Sequence, residues 1–447
     1  MPLPRQIPAV FYRGGTSRGL LFKDSHLACY DAKTRDRILC AAMGSPDPDG
    51  RQIDGLGGGA SSLSKIAVVS PSSPSSFADQ ARRLGHAFAG VDAQWSAEGG
   101  EDRAAKISDV VYRFGQVPIN DGTNVDWGST CGNMVAAVAH FAVQEQLLKA
   151  SSGEAEVASE KGTLPVRILA HDSGKVVRAH VPVLQHDGRW LPAAEGQAQI
   201  SGVPGTHPGI LIESPLEGSV LSTGNALDHV EVDGETIPIS IVDTGLPVIF
   251  VSALDLSIPL SDLVQHPAAI DSNRALMDRL ERIRFQASQL TPDLASKFSP
   301  PAPKICVVHP AASYKTTGGQ EVTADETDLL ARTVSVHQLH RTIPATTLSA
   351  LAAARCFADS VVSRTVSPAL SPMTKKATEE AGGGDDVRAI TIGQPAGASS
   401  ASVQTDEGGQ PRAIVMLRTA RRIMQGEVLV PGDCLPHPDL ASLDHYR

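Results

Sequence analysis

The sequence predicts a mixed α+β fold made of two similar halves, and three observations support this prediction. Many short apolar segments alternate with turns rich in glycine and proline, of which the 447 residues contain 40 and 31. An alanine-rich apolar segment without glycine or proline lies late in each half, at residues 134–148 and 346–357. Because both halves follow this plan, we expect two related domains with a cleft between them.

The individual elements follow from local patterns. Alternating apolar and polar residues, or short apolar runs bounded by turns, are typical of strands. The predicted strands lie at residues 9–13, 65–69, 110–117, 166–183 (a hairpin), 210–213, 230–251 (a hairpin that turns at 233–234, with strands at 237–242 and 247–251), 304–309, 325–336, 387–394, 412–420 and 427–431. The predicted helices lie at residues 34–43, 134–148, 270–290 and 346–357, the last capped by a threonine. The resulting domains span 1–195 and 196–414, with the strand region at about 415–435 packing back on the first domain, and residues 77–107 form an insertion.

Composition excludes several classes of function. The net charge of -10 and an aromatic content of 4% argue against binding to nucleic acids or anionic membranes. No apolar run approaches the ~18 residues that a membrane-spanning helix needs. The six cysteines are scattered, without CxxC or zinc-ligand spacing, which indicates reduced thiols. We therefore expect a cytoplasmic protein without a metal site.

Cys131 lies in the segment STCGNM, between a turn-rich stretch and the first alanine-rich helix. A thiol at the start of a helix lies beside unpaired backbone N–H groups, where anions bind and where the pKa of a thiol falls. Such a cysteine can transfer a proton or act as a nucleophile. Most intracellular cysteines are instead small core residues, so this stretch alone supports both interpretations equally.

Two further segments carry candidate functional groups. The loop RGGTSRG at residues 13–19 combines glycines, which allow close approach of a ligand, with hydroxyls and two arginines that can bind carboxylates. A plain strand–turn–strand with solvated arginines would show the same pattern. The segment GGGASSLSK at residues 57–65 leads Lys65 into an apolar strand. A partly desolvated lysine loses its proton more readily and can act as a base, whereas the alternative is a flexible loop with a surface lysine.

Taken as a set, five motifs resemble one protein family. They are RGGTSRG at 13–19, AMGSPDPDGRQIDGLGGGASSLSK at 42–65, CGNM at 131–134, VPGT at 203–206 and RTARRIMQGEVLVP at 418–431. The set resembles the PrpF family of aconitate and 2-methylaconitate isomerases, which is related to 4-oxalomesaconate tautomerase, and the resemblance runs from about residue 7 to residue 431. It implies the diaminopimelate epimerase-like fold, in which each of two pseudo-symmetric domains wraps a sheet around a central helix. It also implies an active site in the cleft between the domains and no cofactor or metal.

The resemblance assigns candidate roles to individual residues. Lys65 and Cys131 would be the catalytic pair. The substrate-binding residues would be Ser17, Arg18, Ser61, Ser62, Ser64, Gly132, Asn133, Met134, Gly205 and Thr206. The chain departs from the family pattern at Arg18, His207 and Gln394, where lysine, a small residue and histidine are common. Cys356 is expected in mid-helix, where it would serve packing.

The implied reaction is a 1,3-proton shift that moves a C=C bond in an unsaturated tri- or dicarboxylate, with Lys65 and Cys131 sharing the acid and base roles. Arg18 and His207 narrowly favour aconitate as the substrate over 2-methylaconitate and 4-oxalomesaconate. Two other classes stay open: an accessory protein that binds a polycarboxylate for an aconitase-like enzyme, and an amino-acid racemase or epimerase. Arg418, Arg421 and Arg422 are interpreted as a solvated or docking face from which one arginine could reach the cleft. Homodimer formation is left open.

Overall fold

The structure is a computed structural model that describes residues 5–72, 108–119, 122–128, 131–148, 161–172, 174–216, 218–299, 302–335, 338–366, 370–380 and 386–434. The predicted insertion at 77–107 lies outside these residues. The described chain forms two compact units. Unit 1 contains the described residues of Met1–Gln199, Gly205–Ile212 and Arg418–Arg447, and unit 2 contains those of Ile200–Pro204 and Glu213–Leu417.

Unit 1 is a mixed sheet with helices on both faces. Its strands are β1 (Arg5–Gly14), β2 (Ser17–Lys23), β3 (Lys65–Pro71), β4 (Val110–Gln116), β5 (Lys161–Ala170), β6 (Val176–His186), β7 (Arg189–Pro192), the start of β8 (Gly209–Pro215) and the part of β19 (Pro411–Val430) from residue 418 onward. Its helices are α1 (Asp24–Leu27), α2 (Ala32–Met43) and α3 (Gly132–Gln144), and a 3-10 turn covers Ser61–Leu63. Strand β1 pairs antiparallel with both β2 and β19, while β2 and β3 run parallel.

The two faces of this sheet belong to different cores, because successive side chains on a strand point to opposite sides. On one face, Leu21 and Ala67 pack in the core that includes α3, whose small alanines allow close approach to the sheet. On the other face, Leu20 and Ile66 pack in the core that includes α2. A side chain on β2 or β3 can therefore be assigned to the α3 face or to the α2 face from its position along the strand.

Unit 2 is also a mixed sheet with helices. Its strands are the end of β8, β9 (Asp228–Val232), β10 (Glu235–Asp243), β11 (Pro247–Ser252), β12 (Lys304–Pro310), β15 (Leu329–Ser335), β16 (Gln338–Leu339), β17 (Val387–Gln394), β18 (Gly397–Thr405) and the start of β19, with a separate pair of β13 (Tyr314–Lys315) and β14 (Glu321–Val322). Its helices are α4 (Leu260–Leu263), α5 (Pro267–Ser272), α6 (Arg274–Ser288), α7 (Pro292–Ser296), α8 (Ala345–Ala354), α9 (Val361–Thr365) and α10 (Pro372–Glu380). Helices α8 and α6 contribute to separate cores of this unit.

Several predicted elements have different bounds in the structure. The helix predicted at 270–290 is two helices, because Asn273 ends α5 and its side chain accepts a hydrogen bond from Leu276 N to start α6. The second alanine-rich helix begins after Pro344 rather than at a threonine cap. Cys356 lies beyond the end of that helix, not in mid-helix. The two strands predicted at the C-terminal end are one continuous strand, β19. None of the described helices is both long and apolar enough to cross a membrane.

Candidate functional site

The turn between β1 and β2 lies against the start of α3 with no room for side chains. A Cβ atom on Gly14 would lie 2.5 Å from the backbone oxygen of Asn133, and one on Gly15 would lie 2.4 Å from Asn133 Oδ1. Gly15 also has a φ of 51°, in the left-handed region that favours glycine. The glycines of the RGGTSRG segment therefore bring this turn into direct contact with the first turn of α3.

Hydrogen bonds join this turn to α3 and to β19. Asn133 Nδ2 donates to Thr16 Oγ1 at 3.1 Å, and Arg418 Nε donates to Asn133 Oδ1 at 3.1 Å. Ser17 Oγ lies 3.9 Å from Cys131 Sγ, and Cys131 is the residue that immediately precedes α3. We call Thr16, Ser17, Cys131, Asn133 and Arg418 the turn–helix cluster; all five belong to unit 1.

Lys65 lies on the same face of the sheet as this cluster. Gly19 of β2 pairs with Lys65 of β3, and two residues further on Leu21 pairs with Ala67, which faces α3. Because alternate residues share a face, the side chains of Ser17 and Lys65 also face α3. Ser17 contacts Cys131 directly. The structure therefore places the amine and the thiol of the predicted catalytic pair on one side of the unit 1 sheet.

Two neighbours on β4 contact the Lys65 amine. Lys65 Nζ donates a hydrogen bond of 2.8 Å to Gln116 Oε1 and lies 5.1 Å from the centroid of the Phe114 ring. Lys65 as a whole residue is 9% exposed and is thus largely buried. The hydrogen-bond partner of the amine is therefore a neutral amide and not a carboxylate.

The turn–helix cluster offers donors to an anion. Backbone N–H groups in the first turn of a helix have no partner within the helix, and their dipoles favour negative charge. Met134 N donates to Cys131 O at 3.0 Å. Among the described residues, the N–H groups of Gly132 and Asn133 in the same turn donate no hydrogen bond to the protein. Burial lowers the pKa of Arg418 to about 10, and the nearby Cys131 thiol acts in the opposite direction. Among the described residues, no three His, Cys, Asp or Glu side chains gather to bind a metal ion.

Three of the predicted binding residues have side chains away from the cluster. Arg18 points to the opposite face from Ser17, where its guanidinium lies 5.8 Å from the centroid of the Phe11 ring. The side chain of Met134 is fully buried in the core under α3. Ser64 is also fully buried, and its hydroxyl donates to Gln52 Oε1.

The remaining predicted binding residues lie in exposed or half-exposed segments. Ser61 and Ser62 form the 3-10 turn that leads towards Lys65, and within the described ranges no hydrogen bond joins either hydroxyl to another group. Gly205 and Thr206 are exposed in the segment before β8. In the part of the chain that the structure describes, no hydrogen bond connects them to the turn–helix cluster.

Two residues near the candidate catalytic pair are not individually identified by the sequence. The sequence interprets Arg418, Arg421 and Arg422 as a solvated or docking face from which one arginine could reach the cleft, and Arg418 is the arginine whose side chain reaches Asn133. The RTARR motif includes Arg418, but the motif does not indicate which of its arginines points towards α3. Gln116 contacts Lys65 because β3 and β4 pair, and that pairing joins residues that are far apart in the sequence.

Comparison with known proteins gives a consistent assignment. The sequence profile described as "PrpF protein" matches residues 4–82 and 102–431. The 2-methyl-aconitate isomerase of Shewanella oneidensis is 31% identical over 448 residues, covering 95% of this chain and 97% of the relative. The 3-methylitaconate isomerase of Eubacterium barkeri is 31% identical over 436 residues, covering 95% and 97%. The (4E)-oxalomesaconate Delta-isomerase of Novosphingobium is 30% identical, covering 95% and 97%.

The fold is also shared with a solved structure. The crystal structure of methylitaconate-delta-isomerase superposes with a TM-score of 0.71 at 30% identity, covering 97% of this chain and 99% of that one. The predicted α+β, diaminopimelate epimerase-like class is thereby confirmed. The profile match extends over nearly the whole chain, and the relatives match at full length. The chain therefore belongs to the PrpF protein family.

Proposed function

We propose that this chain is an isomerase that moves the C=C bond of an unsaturated polycarboxylate by a 1,3-proton shift, without a cofactor. The observation that carries the proposal is the position of Lys65 on the same sheet face as the turn–helix cluster of Cys131. The named relatives support the reaction class, since they are isomerases whose names refer to unsaturated carboxylates.

The chemistry requires a base, an acid and a site for negative charge. Removal of a proton from the carbon next to the double bond spreads charge over three carbons and a carboxylate. Donors that already point at that carboxylate lower the barrier, because they need not reorganise during the reaction. The Arg418 guanidinium and the first-turn N–H groups of α3 are the donors that we assign to this task.

Lys65 and Cys131 supply the groups that gain and lose protons. One removes a proton from the first carbon, and the same group or the other returns a proton two carbons away, so atoms and charge balance over the cycle. Proton transfer by a positioned side chain is worth ~10²–10⁴ in rate. Ser17, which contacts the Cys131 thiol, would orient it.

The substrate within this class is the finer part of the proposal. The sequence favoured aconitate because of Arg18 and His207, but the Arg18 side chain faces Phe11 on the other side of the sheet and does not support that choice. The relatives in the comparison include 2-methyl-aconitate isomerases. We therefore propose 2-methylaconitate and aconitate as the first two substrates to test, followed by methylitaconate and 4-oxalomesaconate.

Proton NMR in D₂O tests the proposal. Each acid is incubated with the purified protein, and both bond migration and deuterium incorporation are followed. We expect one or more acids to rearrange and to take up deuterium at the carbons between which the proton moves. Deuterium uptake without bond migration would indicate a racemase or epimerase instead. Binding of an acid without exchange or rearrangement would indicate a polycarboxylate-binding protein, and either result would refute the proposed function.

A further inference from the structure

The side-chain amide of Gln116 has a fixed orientation. Its nitrogen, Nε2, donates to the backbone oxygen of Ser64 at 2.9 Å and to that of Val117 at 3.3 Å. Only the nitrogen of an amide can donate a hydrogen bond, so two carbonyl acceptors at this end leave Oε1 at the other end. That oxygen accepts the hydrogen bond from Lys65 Nζ.

The neighbours of Lys65 on the adjacent strands carry no charge. On β2 the same-face residues are Gly19 and Leu21, and on β4 they are Gln116 and Phe114. The described residues contain no salt bridge to the Lys65 amine. Among the described residues, the titratable or charged groups on this face of the sheet include the Cys131 thiol before α3, Arg418 and Arg422 of β19, Tyr12 of β1, Lys23 of β2, Tyr112 of β4, and His140 and Glu145 on or just after α3.

A glutamate at position 116 would have nearly the same shape, but it would lose the two hydrogen bonds that Nε2 donates and would add a negative charge. A carboxylate beside an ammonium group stabilises the charged form, whereas the amide oxygen binds the same amine without a negative charge. A neutral amide therefore holds the amine in a fixed position without placing a negative charge beside it.

We propose that Gln116 is a positioning residue that fixes the Lys65 amine in the site while withholding a counter-charge. The inference rests on the proposed function for its role in catalysis, but the geometry that it describes can be tested without turnover. Gln116 does not need to contact the substrate. Its expected contribution is to the proton affinity and to the placement of Lys65.

The test is an NMR titration of Lys65 in protein labelled with [ε-¹³C]lysine, whose Lys65 signal is identified by its absence in Lys65→Arg. In Gln116→Glu the titration midpoint should move to a pH higher by ~1 or more, as expected for an added carboxylate at hydrogen-bond distance. In Gln116→Met, which lacks an acceptor, the midpoint should move to lower pH. Gln425→Glu, which adds the same charge at an exposed position of β19, should leave it unchanged.

Midpoints in both Gln116 variants within ~0.3 of the wild-type value would overturn the proposal. Circular dichroism and thermal unfolding establish that each variant is folded, and if Gln116→Glu does not fold, the shift in Gln116→Met decides alone.

The pH profile of kcat/KM separates this inference from the proposed function. In Gln116→Glu the acidic limb of the profile should move to higher pH with the NMR midpoint, with ~10-fold less activity at neutral pH and recovery at alkaline pH. A shifted NMR midpoint with an unmoved activity profile would support the role of Gln116 and refute Lys65 as the base. If the wild-type protein turns over no polycarboxylate, the proposed function fails and the titration still decides the role of Gln116.

Discussion

Replacing Gly15 with alanine is expected to displace the first turn of α3 from the β1–β2 turn. The new Cβ atom would lie 2.4 Å from Asn133 Oδ1 and 2.7 Å from its Cγ, so the Asn133 side chain must move. Movement of Asn133 breaks its hydrogen bonds with Thr16 and with the charged Arg418. The site would thereby lose the contact that joins the turn, the helix and β19.

The size of the effect follows from these contacts. A neutral hydrogen bond contributes ~0.5–1.5 kcal/mol and one to a charged group ~1.5–3 kcal/mol. The left-handed backbone at Gly15 adds ~1 kcal/mol for alanine. We therefore expect Gly15→Ala to lower the stability of unit 1 by ~3–5 kcal/mol. Gly188 provides a matched control in the same unit, because its φ is 71° and no atom lies within 4 Å of its Cβ position, so Gly188→Ala should cost only ~1 kcal/mol.

Hydrogen–deuterium exchange of the slowest amides in α3 measures this difference within unit 1, and kcat/KM measures its effect on the site. We expect Gly15→Ala to destabilise the helix by ~2–4 kcal/mol more than Gly188→Ala and to lower kcat/KM by at least ~10-fold, with Gly188→Ala near wild type. Equal exchange in the two variants, within ~0.5 kcal/mol, would show that the contact between Gly15 and Asn133 does not stabilise the site.

Three further perturbations test separate features. Arg418→Met should raise KM for the polycarboxylate by ~10-fold or more, because a charged hydrogen-bond donor is lost from the cluster, while Arg421→Met at an exposed position should not; equal KM values would contradict the assignment. Gln52→Ala should lower the denaturant midpoint by the equivalent of ~1–3 kcal/mol, since Gln52 bonds the buried Ser64 hydroxyl and the glycine-rich loop; an unchanged midpoint would contradict it. Burial lowers the pKa of His140 from 6.5 to about 4, so this histidine is neutral in the native state and the unfolded chain takes up the proton first. The free energy of unfolding is therefore unaffected by His140 above pH 6.5 and falls by ~3 kcal/mol as the pH is lowered from 6.5 towards 4. Denaturation curves should show a smaller decline over this range in His140→Gln, and an equally steep decline would contradict the prediction.

Local sequence signals predicted the two elements that position the candidate catalytic residues. An alanine-rich segment that follows CGNM predicted that Cys131 precedes a buried helix, and α3 begins at the next residue. A serine-rich turn before an apolar run predicted that Lys65 enters a buried strand, and β3 begins at that lysine. Both features depend on neighbouring residues only, which is why the sequence was sufficient for them.

The orientation of side chains depended on details that local patterns do not contain. Ser17 and Arg18 are consecutive, so at most one of them can face α3 once they lie in a strand. Because Leu21 of β2 packs in the α3 core, Ser17, four residues earlier on the strand, faces the same helix, whereas Arg18 faces Phe11. The glycine-rich motif predicts a turn that allows close approach, and this turn does lie against α3, but the motif does not indicate which of the two side chains faces the helix.

Residues that reach the site through long-range pairing could not be found from the sequence. Arg418 lies beside Asn133 because the C-terminal strand β19 pairs with β1 at the other end of the chain. Gln116 lies beside Lys65 because β3 and β4 pair antiparallel. Such pairings depend on the whole sheet, so the spacing of residues along the chain gives no signal for them.

The steady-state rates of Lys65→Ala and Cys131→Ala, measured on the acid that the wild-type protein isomerises, test the central claim most directly. With circular dichroism and thermal unfolding unchanged, kcat should fall by at least ~10² in each variant, because each substitution removes a group to which we assign transfer of the migrating proton. Turnover near the wild-type rate in either variant would contradict the claim that an amine and a thiol on one face of the unit 1 sheet perform the proton shift.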